Sequence, residues 1–338
     1  MKTLLGKYKN FYKANLHCHS TCSDGSLTVE QVKEMYKSQG YSVVAYTDHE
    51  HILDHSDLND ENFLTIPSAE LAIKQFPLQS TLKNYNMKVT HLNVYAIDPK
   101  NLVTPCFSTV YDYFIPRLSK EIADKIQYEK DYNRVYSVHG INDIIKTAKE
   151  KGFLVSYNHP TWSLENATDY LNYEDLDFVE IYNHECTMNG RFDDEHVFDD
   201  FLRAGKKVWC TCCDDNHNTH HETATISDQI GGFTMINSDK FDYASIIEAL
   251  KNGEFYASYG PEIYSVTLDG RTVTIETSPC KSVRITTRGR RAKGVYAPEG
   301  QTITKAQFQL GDMDEYFRLT AVDESGKKAF TQAYDTEL

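Results

Sequence analysis

The chain of 338 residues is long enough to bury a full hydrophobic core, and we expect one large domain or two unequal ones. Its formal net charge of −14 argues against broad binding along a nucleic-acid backbone, because that mode of binding requires a basic surface. The eight cysteines are too few and too irregularly placed for a disulfide scaffold.

The first segment, MKTLLGKYKN, is charged by its seventh residue and lacks the apolar run of a signal peptide. The sequence contains no apolar stretch of about 18 residues, so we predict no membrane span. A cytoplasmic protein is therefore the expectation.

Up to about residue 258, strand-like runs alternate with helix-like segments. TVEQVKEMYKSQG begins with a capping box of Thr28 and Gln31, ends at Gly40 and precedes the strand YSVVAYTDH. INDIIKTAKEKG has helical spacing and precedes the strand FLVSYNHP. Two more strands, DFVEIYN and KKVWCTC, flank a helix around RFDDEHVFDDFLRAG. Repeated βα units of this length indicate an α/β fold with a parallel sheet, open or closed into a barrel.

From about residue 262 the pattern becomes that of an all-β region. YSVTLDGRTVTIETS alternates apolar and polar residues around an Asp-Gly hairpin turn, and KSVRITTRG, QTITKAQFQL and YFRLTAVDESGKKAFTQAY continue the alternation. We predict a small β-sandwich domain over residues 261–338, joined to an α/β domain over residues 1–260 through GEFYASYGPEI.

Histidines and carboxylates recur at the carboxyl ends of the predicted strands, where βα folds gather functional groups. They are His17, His19, Asp24, Asp48, His49, Glu70, His91, His159, Asp215 and His217. Any one of them alone is more often an ordinary core or surface residue, but nearly every predicted strand supplies one at the same end. Imidazole and carboxylate suit Zn²⁺, Mn²⁺ and Fe²⁺, so the joint pattern predicts a multinuclear hydrolytic metal centre.

The same residues carry a resemblance to a known family. Between residues 17 and 217 the chain resembles the PHP family, the polymerase and histidinol phosphatase domain. The resemblance lies in motifs that follow one another in the family's order: HCH, the SDGS turn, TDH, the lone Glu70, His91, NHP and DDNH. Other members of the family carry histidine at the position of Asp24. The aspartate makes the sequence similar to the predicted phosphoesterase branch of that family. The resemblance implies a distorted (β/α)7 barrel for the α/β domain.

The resemblance also implies two to three divalent metal ions, which we expect to be Zn, Mn or Fe. The implied ligand sets are His17, His19, Glu70 and Asp215 for the first ion; Glu70, His91 and His159 for the second; and Asp24, His49 and His217 for the third. Asp48 would support a neighbouring ligand histidine or the local fold. Hydrolysis by a metal-activated water is the implied chemistry.

Weaker signals lie beside this set. Asn183 and Arg191 follow a predicted strand and are weak candidates for substrate binding, although an ordinary loop is at least as good an interpretation. His220 and His221 are poor ligand candidates because the ligand set is complete without them. Cys210–Cys213, written CTCC, are expected to be buried thiols on a strand, and RGRRAK at 288–293 is expected to be a solvated hairpin tip.

These observations favour a metal-dependent phosphoesterase acting on a small phosphorylated metabolite or nucleotide, with no extended nucleic-acid surface and no membrane contact. Two alternatives stay open. A carbamate or amide hydrolase could use the same metal centre, since GEFYASYGPEI resembles a segment of such hydrolases. A non-catalytic binding module is the third interpretation, against which the intact ligand set argues.

Overall fold

The computed structural model of the chain describes residues 1–76, 86–192, 194–219, 227–290 and 293–336. His220 and His221 lie outside the described residues, as do Arg291 and Ala292 of the expected hairpin tip.

The described residues form twenty strands and seven α-helices, besides two short 3-10 turns. The strands are β1 (Lys2–Leu5), β2 (Phe11–Asn15), β3 (Tyr41–Tyr46), β4 (Leu64–Lys74), β5 (Val89–Ala96), β6 (Val103–Thr104), β7 (Gln127–Tyr128), β8 (Phe153–Tyr157), β9 (Phe178–Asn183), β10 (Trp209–Cys213), β11 (Phe233–Asn237), β12 (Phe255–Ser258), β13 (Ile263–Asp269), β14 (Thr272–Cys280), β15 (Ser282–Thr287), β16 (Lys293–Tyr296), β17 (Ile303–Gln309), β18 (Tyr316–Val322), β19 (Lys328–Thr331) and β20 (Tyr334–Asp335). The helices are α1 (Val29–Ser38), α2 (Lys120–Ala123), α3 (Val138–Glu150), α4 (Ala167–Tyr170), α5 (His184–Met188), α6 (Glu195–Arg203) and α7 (Tyr243–Lys251).

The helices form where the sequence pattern places them. The side chain of Thr28 accepts a hydrogen bond from Gln31 N, and the Gln31 side chain accepts one from Thr28 N, so the predicted capping box begins α1. Helix α3 buries Ile141, Ile144 and Ile145 in a cluster that includes residues of β8. Burying this apolar face fixes the helix against the sheet and holds the carboxyl end of β8 in place.

A large central sheet runs in the order β10-β9-β8-β5-β4-β3-β2-β11-β12-β19-β18-β15-β16. The mixed α/β class and the predicted strands β3, β8, β9 and β10 are confirmed. A (β/α)7 barrel is not confirmed: β5 is antiparallel to both β4 and β8, and helices follow only some of the strands. Antiparallel neighbours can be joined by a short connection, whereas parallel neighbours such as β2 and β3 need a crossover, which α1 supplies here.

Strands β2 and β10 lie at opposite ends of a run of seven neighbouring strands, yet their carboxyl ends meet. Asp215 N donates to His17 O over 2.9 Å, and His19 N donates to Asn216 O over 3.1 Å. These hydrogen bonds bring together the segments that follow β2 and β10, at the carboxyl ends of those strands.

The C-terminal region is all β, as predicted. A four-stranded sheet in the order β1-β13-β14-β17 packs on the strands β15, β18 and β19 of the central sheet, with Val266, Ile275, Val283 and Leu319 in the shared core. Pairing also crosses residue 260, because β1 pairs with β13 and β12 pairs with β19. The domain boundary at residue 260 stays a prediction.

All eight cysteines are buried and unpaired, including the three on β10. Among the described residues, no helix is long and apolar enough to cross a membrane.

Candidate metal centre

A cavity of about 400 Å³ opens where the segments after β2, β3, β8 and β10 meet the face of β4 and β5. It is lined by Asp24, His49, Glu50, Glu70, Ala72, Lys74, Met87, Val89, His91, Tyr111, Tyr113, Phe114, His159, Trp162, Glu185, Asp215 and His217. Glu70 does not end its strand, as the sequence analysis expected, because β4 continues to Lys74. Glu70 therefore lies on the cavity floor instead of in a loop.

The first group of donor atoms comes from His17, His19, Glu70 and Asp215, all buried. Nε2 of His17 and Nε2 of His19 lie 3.0 and 2.9 Å from Oδ1 of Asp215. The same two nitrogens are 3.2 and 3.4 Å from the carboxylate of Glu70 and 3.3 Å from each other. The two histidines point to one place because alternate residues of an extended segment share a face.

Two further groups adjoin the first through Glu70 and His19. His91 Nδ1 and His159 Nε2 lie 2.9 and 3.2 Å from Oε1 of Glu70. In the other group, His49 Nε2 and His217 Nε2 each lie 3.5 Å from the carboxylate of Asp24, which also faces His19 at 3.7 Å. The structure thus brings together all nine residues for which the sequence analysis predicts metal ligation.

These donors fit divalent ions. Ligands that share one ion through bonds of about 2.0–2.2 Å lie about 3.0–3.5 Å apart, as the donors of the first group do. Among the described residues, Oδ1 of Asp215 and Nδ1 of His91 are buried and make no hydrogen bond of suitable geometry, although His17 Nε2 and Glu70 Oε1 lie 3.0 and 2.9 Å from them. A buried polar atom without a partner is costly, and a bound cation would satisfy both.

Charge within the site is arranged for cation binding. Burial raises the pKa of Glu70, but the imidazoles around it, led by His91 and His17, hold that pKa well below its ordinary value. The pKa of Asp215 is held low in the same way against burial, chiefly by His17. Burial lowers the pKa of His91 to about 4 against the opposing charge of Glu70, so its imidazole is neutral, the form that binds metals.

Glu180, on β9, is a residue of the candidate centre that the sequence analysis missed. One of its carboxylate oxygens lies 3.0 Å from Nδ1 of His17, and the other accepts a hydrogen bond of 3.0 Å from His159 N. A carboxylate on the far nitrogen of a ligating imidazole fixes its orientation and tautomer. A signal was present in the sequence, because Glu180 is a charged residue between the apolar Val179 and Ile181 of one strand.

Asp48 acts on the SDGS turn. It accepts hydrogen bonds from Ser20 N and Ser20 Oγ, each 2.8 Å long, and from Ser23 Oγ at 2.6 Å. Ser23 Oγ in turn lies 3.4 Å from Nδ1 of His19. Asp48 therefore reaches a candidate ligand histidine through Ser23 and holds the turn that carries Asp24.

The two weak candidates for substrate binding lie elsewhere. Asn183 is buried and donates from Nδ2 to Glu180 and to Asp215, each over 3.0 Å, while its Oδ1 accepts from Cys186 N at the start of α5. Arg191 is exposed, donates to Thr161 O and does not line the cavity. Asn183 therefore orients a candidate ligand, and neither residue is among those that line the cavity, so their part in substrate binding stays a prediction.

Two of the candidate ligands have unusual backbone conformations. Asp215 has a φ of +55° and His159 a φ of +27°, which are left-handed values that non-glycine residues rarely adopt. Such conformations cost about 1–3 kcal/mol each and persist where surrounding contacts enforce them. Here the enforcing contacts are the hydrogen bonds from Asp215 N to His17 O and from His159 N to Glu180.

Comparisons with known proteins find similar solved structures at low sequence identity. No protein-family model matches the sequence, and no curated protein matches it significantly. The structure is similar to that of a two-domain protein from Bacteroides vulgatus containing a predicted PHP-like metal-dependent phosphoesterase, with 14% identity, a TM-score of 0.46, and coverage of 98% of this chain and 97% of that chain.

Two other solved structures are similar over part of the chain. One is a candidate metal-dependent phosphoesterase from Bifidobacterium adolescentis, with 16% identity, a TM-score of 0.38, and coverage of 64% of this chain and 92% of that chain. The other is an amidohydrolase from Chromobacterium violaceum with bound sulfate and no metal, with 13% identity, a TM-score of 0.36, and coverage of 60% of this chain and 87% of that chain.

Proposed function

We propose that the protein is a metal-dependent hydrolase that cleaves the phosphoester of a small metabolite or nucleotide. The observation that carries the proposal is the convergence of three donor groups on one cavity, with five imidazoles facing the carboxylate of Glu70. Divalent ions at such a centre supply Lewis acidity and activate water for hydrolysis.

The charge balance of a fully occupied centre favours a phosphorylated substrate. Three divalent ions would outweigh in charge the five carboxylates of Asp24, Glu70, Glu180, Glu185 and Asp215 and would leave the site positive within an acidic protein. The volume of about 400 Å³ lies in the range of small-molecule sites, roughly 300–1,000 Å³. A small phosphate ester therefore matches both the charge and the size of the cavity.

The residues around the donors position them and limit water. Glu180 and Asn183 orient His17 and Asp215 through the hydrogen bonds described above. Phe114 stacks on the His49 ring with centroids 5.5 Å apart, and Trp162 covers His91 with centroids 5.0 Å apart. These rings exclude solvent from two sides of the centre and strengthen electrostatic interactions within it.

The test is a substrate screen of the full chain reconstituted with Mn²⁺ or Zn²⁺, using phosphomonoesters, phosphodiesters and carbamates. We expect phosphoester turnover that is abolished by chelation and by Glu70→Gln, and retained in Glu174→Gln, which removes an exposed carboxylate. Turnover of carbamates alone would replace the proposal with a carbamate hydrolase. Metal binding without any turnover would favour a binding module, and failure to bind metal would overturn the centre itself.

A further inference from the structure

The cavity extends beyond the candidate metal centre along the hairpin of β4 and β5. Glu70, Ala72 and Lys74 alternate along β4 and line the same cavity. On β5, His91 lies opposite Ala72, and Val89 lies opposite Lys74. Four residues of strand separate the Cα atoms of Glu70 and Lys74 by about 13 Å.

Lys74 places a cationic group at the end of this floor. Its side chain is half-buried, and within the described part of the chain its ammonium group forms no ion pair. The nearest described rings are those of Tyr113, 5.1 Å from Nζ to the centroid, and Tyr111, 5.8 Å away. Burial lowers the pKa of Lys74 while Glu50 raises it. A partly desolvated cation of this kind gains most from an anion that enters the cavity.

Glu50 does not neutralise that cation. Its Oε2 lies 2.6 Å from the guanidinium group of Arg134, and its Oε1 accepts a hydrogen bond of 2.9 Å from Ala72 N. Glu50 lines the cavity, but Arg134 lies behind it and both side chains are buried, so the two charges largely compensate each other. The charge of Lys74 is therefore available to a ligand.

Apart from Glu50 and Glu185, the cavity lining beyond the metal donors and Lys74 is apolar or aromatic. The described residues that form this part of the lining are Ala72, Met87, Val89, Tyr111, Tyr113, Phe114 and Trp162. A group that bridges this stretch gains from burying apolar or aromatic surface and finds few hydrogen-bond partners. The cavity thus has a multinuclear donor centre at one end, a mostly apolar and aromatic lining beyond it, and at the other end Lys74, the one lysine among the described lining residues.

We propose that the cavity binds a substrate with two anionic ends: the phosphoryl group at the metal centre and a carboxylate or second phosphate at Lys74, joined by an apolar or aromatic body of roughly 8–12 Å. The assignment of the reacting end rests on the proposed function. The assignment of Lys74 as the anion-binding residue rests on the cavity alone, and its test is separate.

The first experiment measures binding, which requires no turnover. Calorimetry compares 4-(2-carboxyethyl)benzylphosphonate with its carboxyl methyl ester on the metal-loaded full chain. We expect the acid to bind at least about tenfold more tightly than the ester, because one charged hydrogen bond is gained. Lys74→Met should abolish that preference while leaving ester binding unchanged, Lys74→Arg should keep it, and Lys146→Met, on the exposed face of α3, should match the wild type. Equal binding of acid and ester by the wild type would overturn the proposal.

A second arm identifies the anion. A bisphosphonate of the same length, compared with the carboxylate probe, shows whether carboxylate or phosphate is preferred at Lys74, and either preference must vanish in Lys74→Met. Kinetics with the corresponding aryl phosphates then test the proposed function. An acid preference in binding with no phosphate release would refute the phosphoesterase and retain the Lys74 subsite. Phosphate release without any acid preference would refute the subsite and retain the phosphoesterase.

Discussion

Glu180 supports two candidate ligands from one strand position. It contacts the outer nitrogen of His17 and the backbone of His159, and both of its oxygens are engaged. Removing its charge should loosen the imidazole of His17 and the strained backbone of His159 without removing a donor atom. Removing the charge of Glu180 should therefore lower metal affinity more than it lowers the stability of the fold.

We predict that Glu180→Gln lowers the affinity of the centre for Zn²⁺ or Mn²⁺ by about 10–100-fold, as is usual for a carboxylate behind a ligand histidine. Competition with a chromophoric chelator measures the change. Glu174→Gln serves as the control, since it removes the same charge from an exposed position. Unchanged affinity in Glu180→Gln would show that His17 needs no such support.

The candidate ligands were predictable at this scale because each lies at or just after a strand-like run with a recognisable motif. Glu180 and Lys74 were not, because neither belongs to a recognisable motif, and alternation along a strand alone does not show which face meets a cavity. Asn183 was a weak candidate for substrate binding, and the structure shows its side chain donating a hydrogen bond to Asp215. The direction of a side chain at a strand end depends on long-range pairing that one sequence does not display.

At the scale of elements, Arg134 joins three segments beneath the cavity floor. It donates to Cys106 O and to Ala72 O, each over 2.9 Å, and pairs with Glu50. Strand β4 therefore keeps its position at Ala72 through a buried ion pair as well as through the sheet. Buried pairs of this kind are sensitive to the loss of one partner.

Arg134→Met should lower the free energy of unfolding by about 3–5 kcal/mol, because it leaves the charge of Glu50 buried without a partner. The double variant with Glu50→Gln should recover part of that loss, since the uncompensated charge is then absent. Urea denaturation of the metal-free proteins measures all members of the cycle. Additive effects of the two substitutions would mean that the pair is not coupled.

Element types were more predictable than element directions. The runs that became β3, β8, β9 and β10 were identified from local pattern, as were α1 and α3. The antiparallel direction of β5 was not, because direction is decided by which strands become neighbours. Local periodicity reports burial, and it carries no information about pairing partners.

For the whole molecule, contacts across residue 260 are polar as well as backbone-mediated. Gln332 donates to Cys210 O and accepts from Cys210 N, which ties the C-terminal region to β10. Arg318, on β18, is buried and donates to both carboxylate oxygens of Asp199 on α6, at 2.7 and 2.9 Å. Together with the pairing of β12 and β19, these contacts indicate that the two regions are mutually stabilised.

Arg318→Met should lower the free energy of unfolding by about 2–4 kcal/mol, somewhat less than a fully buried pair because the carboxylates it leaves are partly exposed. Arg203→Met is the matched control: Arg203 also approaches Asp199, but at 3.7 Å and half-exposed, and should cost less than about 0.5 kcal/mol. Thermal and urea unfolding measure both variants. Equal losses of unfolding free energy in the two variants would show that the contact between β18 and α6 does not stabilise the fold more than an exposed ion pair does.

If the continuous sheet makes the chain one cooperative unit, metal bound at the cavity must also protect the C-terminal strands. A ligand at 100 times its dissociation constant stabilises the native state by about 2.7 kcal/mol, which slows globally exchanging amides about 100-fold. We predict that slow amides of β15 and β18 show this same slowing as those of β3 when Zn²⁺ or Mn²⁺ is added, measured by hydrogen exchange with mass spectrometry. Protection confined to residues before 260 would show that the two regions unfold independently, as the predicted domain boundary implies. Gln332→Ala removes both hydrogen bonds to Cys210 and should reduce the protection that metal binding gives to β15 and β18.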